Sequence, residues 1–205
     1  MKVLLVNGSA RNDGCTRAAL DAVAASLNEE GIDTELVFLG NKPISDCIDC
    51  GKCMELRKCV IEDEVNEIVE KAKDCDGFVF GSPVYYAHPT AKILAFMDRA
   101  FFSGGRNFAF KPAAAVLNAR RAGTTASMDV MNKYFTINSM PVASSSYWND
   151  THGSKPEEVA QDLEGITTMR NIGKNMAWLI KSIALAKESG LDHPVSRKVF
   201  TNFIR

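Results

Sequence analysis

The sequence lacks a charge imbalance and a long apolar run, and each absence excludes a class of protein. The 205 residues hold 24 Lys and Arg against 25 Asp and Glu, a formal net charge of -1. This balance gives no electrostatic case for nucleic acid as a partner. No apolar run approaches the roughly 18 residues that a membrane-spanning helix needs, and no internal repeat or low-complexity tract is present. We therefore expect a protein that binds neither nucleic acid nor membrane.

The sequence also lacks a secretory segment, because Met1 leads directly into an apolar run with no basic region before it. A cytoplasmic protein is therefore expected. With 46% hydrophobic residues, the chain is long enough to bury one substantial core. We predict one α/β domain over residues 1–190, with a cysteine-rich loop at 43–61, and a C-terminal tail at 191–205. The apolar tail residues Phe200, Phe203 and Ile204 either cover a second subunit or pack on their own domain.

Two common phosphate-binding loops are missing as well. No Gly-Lys-Ser or Gly-Lys-Thr triplet is present, so the lysine that a nucleotide triphosphatase sends to the β- and γ-phosphates is lacking. Gly8 and Gly14 do not form a Gly-x-Gly-x-x-Gly motif, which disfavours a primary dinucleotide site. The two glycines are instead expected to let the backbone approach a ligand.

The chain opens with an apolar run and a polar turn. Residues 3–6 are apolar on both faces, which is typical of a strand buried in the centre of a parallel sheet. The turn offers the hydroxyls of Ser9 and Thr16 and the cation of Arg11. A helix begins near 14–16, and its free N–H groups attract an anion. We predict a site for a terminal monophosphate such as that of FMN. The alternative is a plain strand-to-helix turn capped by Ser9 or Thr16.

Segments with strand character alternate with amphipathic helical segments. The predicted strands are 2–6, 34–39, 77–81, 113–117 and 141–145. The predicted helices begin near 14–16, cover 62–74, follow Pro89, and cover 126–137 and 156–189. Pro141 places the last strand at a sheet edge. This alternation predicts an α/β fold of three layers, doubly wound and flavodoxin-like, with a five-stranded parallel sheet of order 2-1-3-4-5.

Ligands of such sheets bind where the strands end, at the carboxyl edge. The loops expected at that edge are 7–16, 82–89, 118–125 and 146–153. Tyr85 and Tyr86 can stack on a flat conjugated ring and offer hydroxyl groups. Trp148 and His152 either face the ligand or are an ordinary packed tryptophan and a solvated histidine.

Four of the six cysteines form one compact run, at Cys47, Cys50, Cys53 and Cys59. Cysteines of a cytoplasmic chain are more often metal ligands or redox groups than disulfides. A single run resembles iron–sulfur spacing more than zinc sites, whose cysteine pairs stand farther apart. The spacing leaves a [4Fe–4S] cluster, zinc and free thiols open.

Three motifs in this order resemble the flavodoxin-fold NAD(P)H-dependent FMN reductases, and within them the iron–sulfur flavoproteins. The motifs are Gly8-Ser9-Ala10-Arg11 with Gly14 and Thr16, Ser82-Pro83-Val84-Tyr85-Tyr86 followed by Lys92 and Phe96-Met97-Asp98-Arg99, and Cys47-x2-Cys50-x2-Cys53-x5-Cys59. The resemblance covers nearly the whole chain. It implies FMN with its phosphate on Ser9, Arg11 and Thr16, and a [4Fe–4S] cluster on the four cysteines. One departure is Cys15, where the family often has Asn.

The same resemblance implies that 83–86 line the isoalloxazine ring and that 118–123 approach its other edge. Backbone amides of both loops can bond the pyrimidine edge of a flavin. The expected cofactor-binding residues are Ser9, Arg11, Gly14, Cys15, Thr16, Pro83, Val84, Tyr85, Tyr86, Asn118, Ala119, Arg120, Gly123 and Trp148.

The implied function is an oxidoreductase that takes hydride from NADH or NADPH onto FMN. The electrons then pass to a small acceptor, such as a quinone, an azo or nitro compound or free flavin, or to an iron–sulfur centre or redox-protein partner. Because the flavin carries the chemistry, no essential side-chain acid or base is expected. The alternative is a non-enzymatic electron carrier. Such carriers are typically strongly acidic, whereas this chain is nearly neutral. A homodimer or homotetramer is expected, with the cysteine loop of one chain facing the flavin of another.

Overall fold

The computed structural model of the protein describes residues 1–195, 199–201 and 203. Ile204 of the expected tail lies outside the described residues. The strands are β1 (Lys2–Asn7), β2 (Asp33–Phe38), β3 (Gly77–Tyr85), β4 (His88–Pro89), β5 (Ala113–Ala119) and β6 (Asp150–His152). The helices are α1 (Cys15–Glu29), α2 (Cys53–Leu56), α3 (Glu64–Lys71), α4 (Ala91–Gly104), α5 (Thr124–Ile137), α6 (Pro156–Gln161) and α7 (Leu163–Glu188).

The parallel sheet has the strand order β2-β1-β3-β5-β6, and the two-residue β4 pairs antiparallel with the end of β3. Without that short strand the order is the predicted 2-1-3-4-5, so the flavodoxin-like fold is confirmed. Strand β1 is central because its apolar residues are buried on both faces by the helices. Crossover helices cover both faces of the sheet, which leaves its carboxyl edge open for loops.

Each face of the sheet has its own apolar core. One core joins the sheet to α3, α4 and α5 and contains a group of phenylalanines, Phe78, Phe80, Phe96, Phe101, Phe108 and Phe135. The other joins the sheet to α1 and α7. Helices α1 and α7 cross closely at Gly173, where an added Cβ would lie 2.7 Å from Cβ of Ser26. No helix among the described residues is long and apolar enough to cross a bilayer.

The fifth strand differs from the prediction of 141–145. That segment makes a single bridge, between Val142 and the first residue of β5. Its later residues are bonded to α7 instead, since Asn175 donates to the Ser144 carbonyl at 2.8 Å and the Ser145 hydroxyl donates to the Thr168 carbonyl at 2.6 Å. The carboxyl half of β5 therefore pairs with β6.

The predicted helix 156–189 is two helices, because Asp162 interrupts it. The Asp162 carboxylate accepts hydrogen bonds from the Gly165 amide at 2.9 Å and from the His152 amide at 2.7 Å. The first bond caps α7, and the second joins this cap to β6. The break therefore sets the position of 153–156 at the carboxyl edge of the sheet.

The predicted helix 62–74 begins later and ends differently. Asp63 caps α3, which ends at Lys71, and the next residues, Ala72–Asp74, form a 3-10 turn. Pro89 was expected in the first turn of a helix, but it pairs in β4, and Thr90 is the N-cap of α4.

Candidate flavin and cysteine sites

The turn between β1 and α1 is held by its own side chains. The Asn7 carboxamide oxygen accepts a hydrogen bond from the Ser9 amide at 3.0 Å, and its nitrogen donates to the Asn12 carbonyl at 3.3 Å. The Ser9 hydroxyl oxygen in turn accepts from the Arg11 amide at 3.1 Å. Because Asn7 is fully buried, these bonds shape the turn before any ligand arrives.

The start of α1 is open to an anion. Its N-cap is Gly14, and among the described residues no side chain accepts a hydrogen bond as a cap. The alternative of a turn capped by Ser9 or Thr16 is therefore not what the structure shows. The first-turn N–H groups, with the positive end of the helix dipole, face the loop without a side-chain partner.

Thr16 adds a second group at this turn that an anion can pair with. Its hydroxyl is buried and has no hydrogen-bond partner among the described residues. An unpaired buried hydroxyl costs about 1–3 kcal/mol, and a ligand oxygen placed here removes that cost. The hydroxyl and the open helix start together fit a phosphate group.

Gly8 has a different role from the expected approach to a ligand. A Cβ at this position would lie 2.7 Å from Cβ of Ile93 in α4. The Gly8 amide donates to the Gly81 carbonyl at 2.8 Å, and its carbonyl accepts from the Thr90 hydroxyl at 3.0 Å. Gly8 therefore lets β1 pack against the start of α4, which brings the turn next to residues 82–89. These were expected to form a loop, but they form the paired end of β3 and β4.

A cleft of about 320 Å³ lies at the carboxyl edge of the sheet. Its size is within the range of sites for small molecules and cofactors. It brings together eleven of the fourteen expected cofactor-binding residues, namely Ser9, Arg11, Gly14, Cys15, Thr16, Pro83, Val84, Tyr85, Asn118, Ala119 and Arg120. The turn between β1 and α1 (residues 8–14), here called the phosphate turn because phosphate is expected there, thus shares one cleft with the two segments expected at the ring.

Three expected residues do not line this cleft. Tyr86 is fully exposed and has a left-handed backbone, with φ 53°. Gly123, at φ 97°, packs against the hairpin formed by β3 and β4, where an added Cβ would lie 2.6 Å from Cα of Ala87. Trp148 is 54% exposed and packs edge-on against Tyr147.

The cleft also includes Gly153, from the loop 146–153 expected at this edge, and three residues that the sequence did not predict there, Ser154, Lys155 and Pro156. Lys155 adds a second cation to the lining of the cleft, besides Arg120. The signal for this segment was Pro156, since proline at the first position of a helix marks a helix start. Burial raises the pKa of the Cys15 thiol, so this side chain stays neutral and adds no negative charge near the phosphate turn.

A second, smaller cavity is lined by Cys47, Cys50, Cys53 and Cys59. Burial raises the pKa of the Cys53 thiol, and the neighbouring Cys50, Cys47 and Cys59 raise it further. The Cys53 thiol is therefore harder to ionise unless positive charge lies beside it. Within the described residues, no three His, Cys, Asp or Glu side chains converge tightly enough to hold a single metal ion. Four cysteine sulfurs around one cavity are a donor set that both iron–sulfur clusters and zinc sites use.

Cys59 is the most firmly held of the four. The Asn66 carboxamide accepts from the Cys59 amide at 3.0 Å and donates to the Cys59 carbonyl at 3.0 Å. Cys47 and Cys50 instead lie exposed on irregular loop, and Cys53 begins the four-residue helix α2. The four-cysteine cavity and the carboxyl-edge cleft share no lining residue.

A family model for NADPH-dependent FMN reductases matches residues 1–155. An iron–sulfur flavoprotein of Methanocaldococcus jannaschii is 36% identical over 198 residues, which cover 89% of this chain and 99% of the relative. An iron–sulfur flavoprotein of Methanosarcina thermophila is 28% identical over 188 residues, which cover 89% and 97%. The chain belongs to the NADPH-dependent FMN reductase family.

Within the FMN reductase family, the chain belongs to the iron–sulfur flavoprotein subgroup. Solved structures share its fold. The NAD(P)H:quinone oxidoreductase of Methanothermobacter marburgensis matches with a TM-score of 0.66 at 17% identity, covering 86% of this chain and 96% of that one. A flavodoxin from the domain Archaea matches with a TM-score of 0.60 at 13% identity, covering 88% and 99%. Family membership identifies an FMN-dependent oxidoreductase. The residues of the cleft suit FMN as its cofactor.

Proposed function

We propose that the protein takes hydride from NADH or NADPH onto FMN bound in the carboxyl-edge cleft and passes the electrons to a second acceptor. Bound FMN supplies the hydride and electron chemistry, while the protein binds and orients it. The acceptor is a small molecule such as a quinone, an azo or nitro compound or free flavin, or an iron–sulfur centre. No side chain acts as an essential acid or base.

The observation that carries this proposal is the open start of α1 beside the unpaired Thr16 hydroxyl. Both demand an anion at the end of β1, and the cleft continues from there to Pro83–Tyr85 and 118–120. A terminal phosphate followed by a flat ring fits this order. Tyr85 is half-exposed at the rim, where it can stack on the ring.

The four-cysteine cavity supports a [4Fe–4S] cluster as a second group in the same chain. Cys47, Cys50, Cys53 and Cys59 would hold it, and a cluster supplies one-electron transfer when bound. The names of the relatives, iron–sulfur flavoproteins, agree with that donor set. They also favour a second candidate function, a non-enzymatic electron carrier.

Rapid mixing with NADH and NADPH under argon separates the two functions. Flavin absorbance that bleaches within the mixing time with either nucleotide supports the reductase. Flavin that stays oxidised with both nucleotides, yet is reduced by a protein electron donor, identifies the carrier and overturns the reductase. Iron and sulfide assays on anaerobically prepared protein test the cluster separately, and zinc in place of iron would contradict it.

A further inference from the structure

Arg99 is a fully buried cation that the flavin chemistry does not use. It lies on α4, is 1% exposed, and lines the four-cysteine cavity. Its guanidinium donates two hydrogen bonds to the Asp63 carboxylate, of 2.6 and 2.7 Å. Asp63 is itself the N-cap of α3. Burial acts to lower the pKa of Arg99, but hydrogen bonds to Asp63 and Cys59 raise it by more, so the side chain stays charged.

The remaining donors of Arg99 reach both ends of the cysteine loop. One terminal nitrogen donates to the Ser45 carbonyl at 3.3 Å, just before the first cysteine. The other donates to the Ile61 carbonyl at 3.0 Å, just after the last cysteine. Nε donates to Sγ of Cys59 at 3.3 Å. A single side chain therefore fastens the two ends of the loop together and also contacts one of its four sulfurs.

We propose that Arg99 is a positioning residue for the four-cysteine site and that its bond to Cys59 raises the reduction potential of a cluster held there. This inference rests on the proposed function, because it needs a cluster on these cysteines. Hydrogen bonds to ligand sulfurs and nearby charge are levers that set the potential of iron–sulfur clusters. A cation beside the sulfur favours the reduced form, because that form carries one more negative charge.

An Arg99→Lys variant tests the sulfur contact while keeping the buried charge. A lysine ammonium can pair with Asp63, but it lacks the rigid fork that also reaches Cys59. Redox titration followed by electron paramagnetic resonance should show the ratio of reduced to oxidised cluster falling roughly tenfold at a fixed solution potential, about 59 mV for one electron. Iron and sulfide per FMN should stay close to those of the unmodified protein.

A double variant, Arg99→Met with Asp63→Asn, decides the result if the lysine variant does not fold. Removing both partners leaves no unpaired buried charge, and asparagine remains a good cap for α3. We expect the potential to shift in the same direction and by at least as much.

Asn66→Ala is a comparison variant whose effect should be purely structural. It frees the backbone of Cys59 but keeps the sulfur contact, so iron content should fall while the remaining cluster keeps its potential.

Arg106→Lys is the matched control. Arg106 donates to the Arg57 carbonyl of the same loop at 2.9 Å, and among the described residues it neither bonds to a cysteine sulfur nor lines the four-cysteine cavity, so its variant should leave potential and iron content unchanged. If the unmodified protein takes up no iron, the cluster of the proposed function is wrong and this inference goes with it. If it holds iron and the Arg99 variants keep its potential, the inference alone is overturned.

Discussion

Arg11 contributes charge to the phosphate turn rather than structure. Its side chain is exposed at the cleft, and only its backbone amide takes part in the bonds that shape the turn. A charge-assisted bond to phosphate contributes about 1.5–3 kcal/mol, so Arg11→Ala should weaken FMN binding roughly ten- to a hundredfold. Fluorescence titration of the FMN-free protein measures this loss.

Arg17→Ala is the control for that measurement. Arg17 lies in the first turn of α1, pairs with Asp21, and does not line the cleft. Its substitution should leave the dissociation constant for FMN within about twofold, since the charge there is largely screened. Equal losses in both variants would show that Arg11 acts only through the general charge of the surface.

Thr16 makes stability and binding move in opposite directions. Thr16→Val keeps the shape of the side chain and removes a buried hydroxyl that has no hydrogen-bond partner in the part of the chain that the structure describes. Without FMN, the free energy of unfolding of Thr16→Val should therefore be about 1 kcal/mol higher than that of the unmodified protein. FMN binding should weaken several-fold, less than for Arg11→Ala, because a neutral hydroxyl is a weaker partner than a cation. Urea unfolding and FMN titration measure the two effects, and unchanged FMN affinity would remove Thr16 from the phosphate site.

At the level of elements, Glu35 joins three of them at the edge of the sheet. It lies on β2 and pairs with Lys2 of β1 and Lys71 of α3. Hydrogen bonds from Lys2 and Lys71 hold the pKa of Glu35 below its ordinary value of 4.5. Because the site is partly exposed, the pairing should contribute no more than about 1 kcal/mol.

The lowered pKa of Glu35 fixes the direction of the pH dependence. Unfolding raises the pKa back to about 4.5, so the stabilisation is fully present above that pH and is lost as pH falls through the folded pKa. Glu35→Gln should therefore reduce the free energy of unfolding at pH 7, and the two proteins should converge in acid. Urea unfolding from pH 7 to pH 3 measures this, with Glu188→Gln at the exposed end of α7 as the control. A difference that persists at pH 3 would assign the effect to packing.

For the whole molecule, the positions of the two candidate sites matter most. Helix α4 starts at the carboxyl edge of the sheet, and Arg99, Phe102 and Ser103 of its later turns line the four-cysteine cavity. From Ala91 to Arg99 the helix rises about 12 Å, so Arg99 lies about two turns away from the end of α4 at the carboxyl edge. Two sites so placed within one chain favour an assembly in which a second copy brings its cysteines to this flavin.

We therefore predict a homodimer or homotetramer in solution, measured by light scattering. The tail offers apolar contact area, since Phe200 is 89% exposed and Phe203 is 96% exposed. Exchanging both for serine should shift the protein towards monomer, whereas Leu163→Ser, at an exposed site on α7, should not. A monomeric protein in which NADH reduces both FMN and the cluster rapidly would contradict this assembly.

Much of the fold was predictable because its signals are local. The apolar run at 3–6, the polar turn to Thr16 and the alternation of strands and helices depend on neighbours in the chain, and they predicted the parallel sheet and the phosphate turn. The edge strand was not predictable in this way. Residues 141–145 and β6 both have modest strand character, and hydrogen bonds that join Ser144 and Ser145 to α7 decide between them.

The candidate sites divide along the same line. Residue types and spacing predicted an anion site at the turn between β1 and α1 and a ligand set in the cysteine run, because the groups of each lie close together in the sequence. No local pattern in the sequence predicted the role of Arg99. Its partners lie at Ser45, Cys59, Ile61 and Asp63, between 36 and 54 residues away. A buried charge is stable only where distant carbonyl, carboxylate and sulfur groups converge on it, and that convergence exists only in the folded chain.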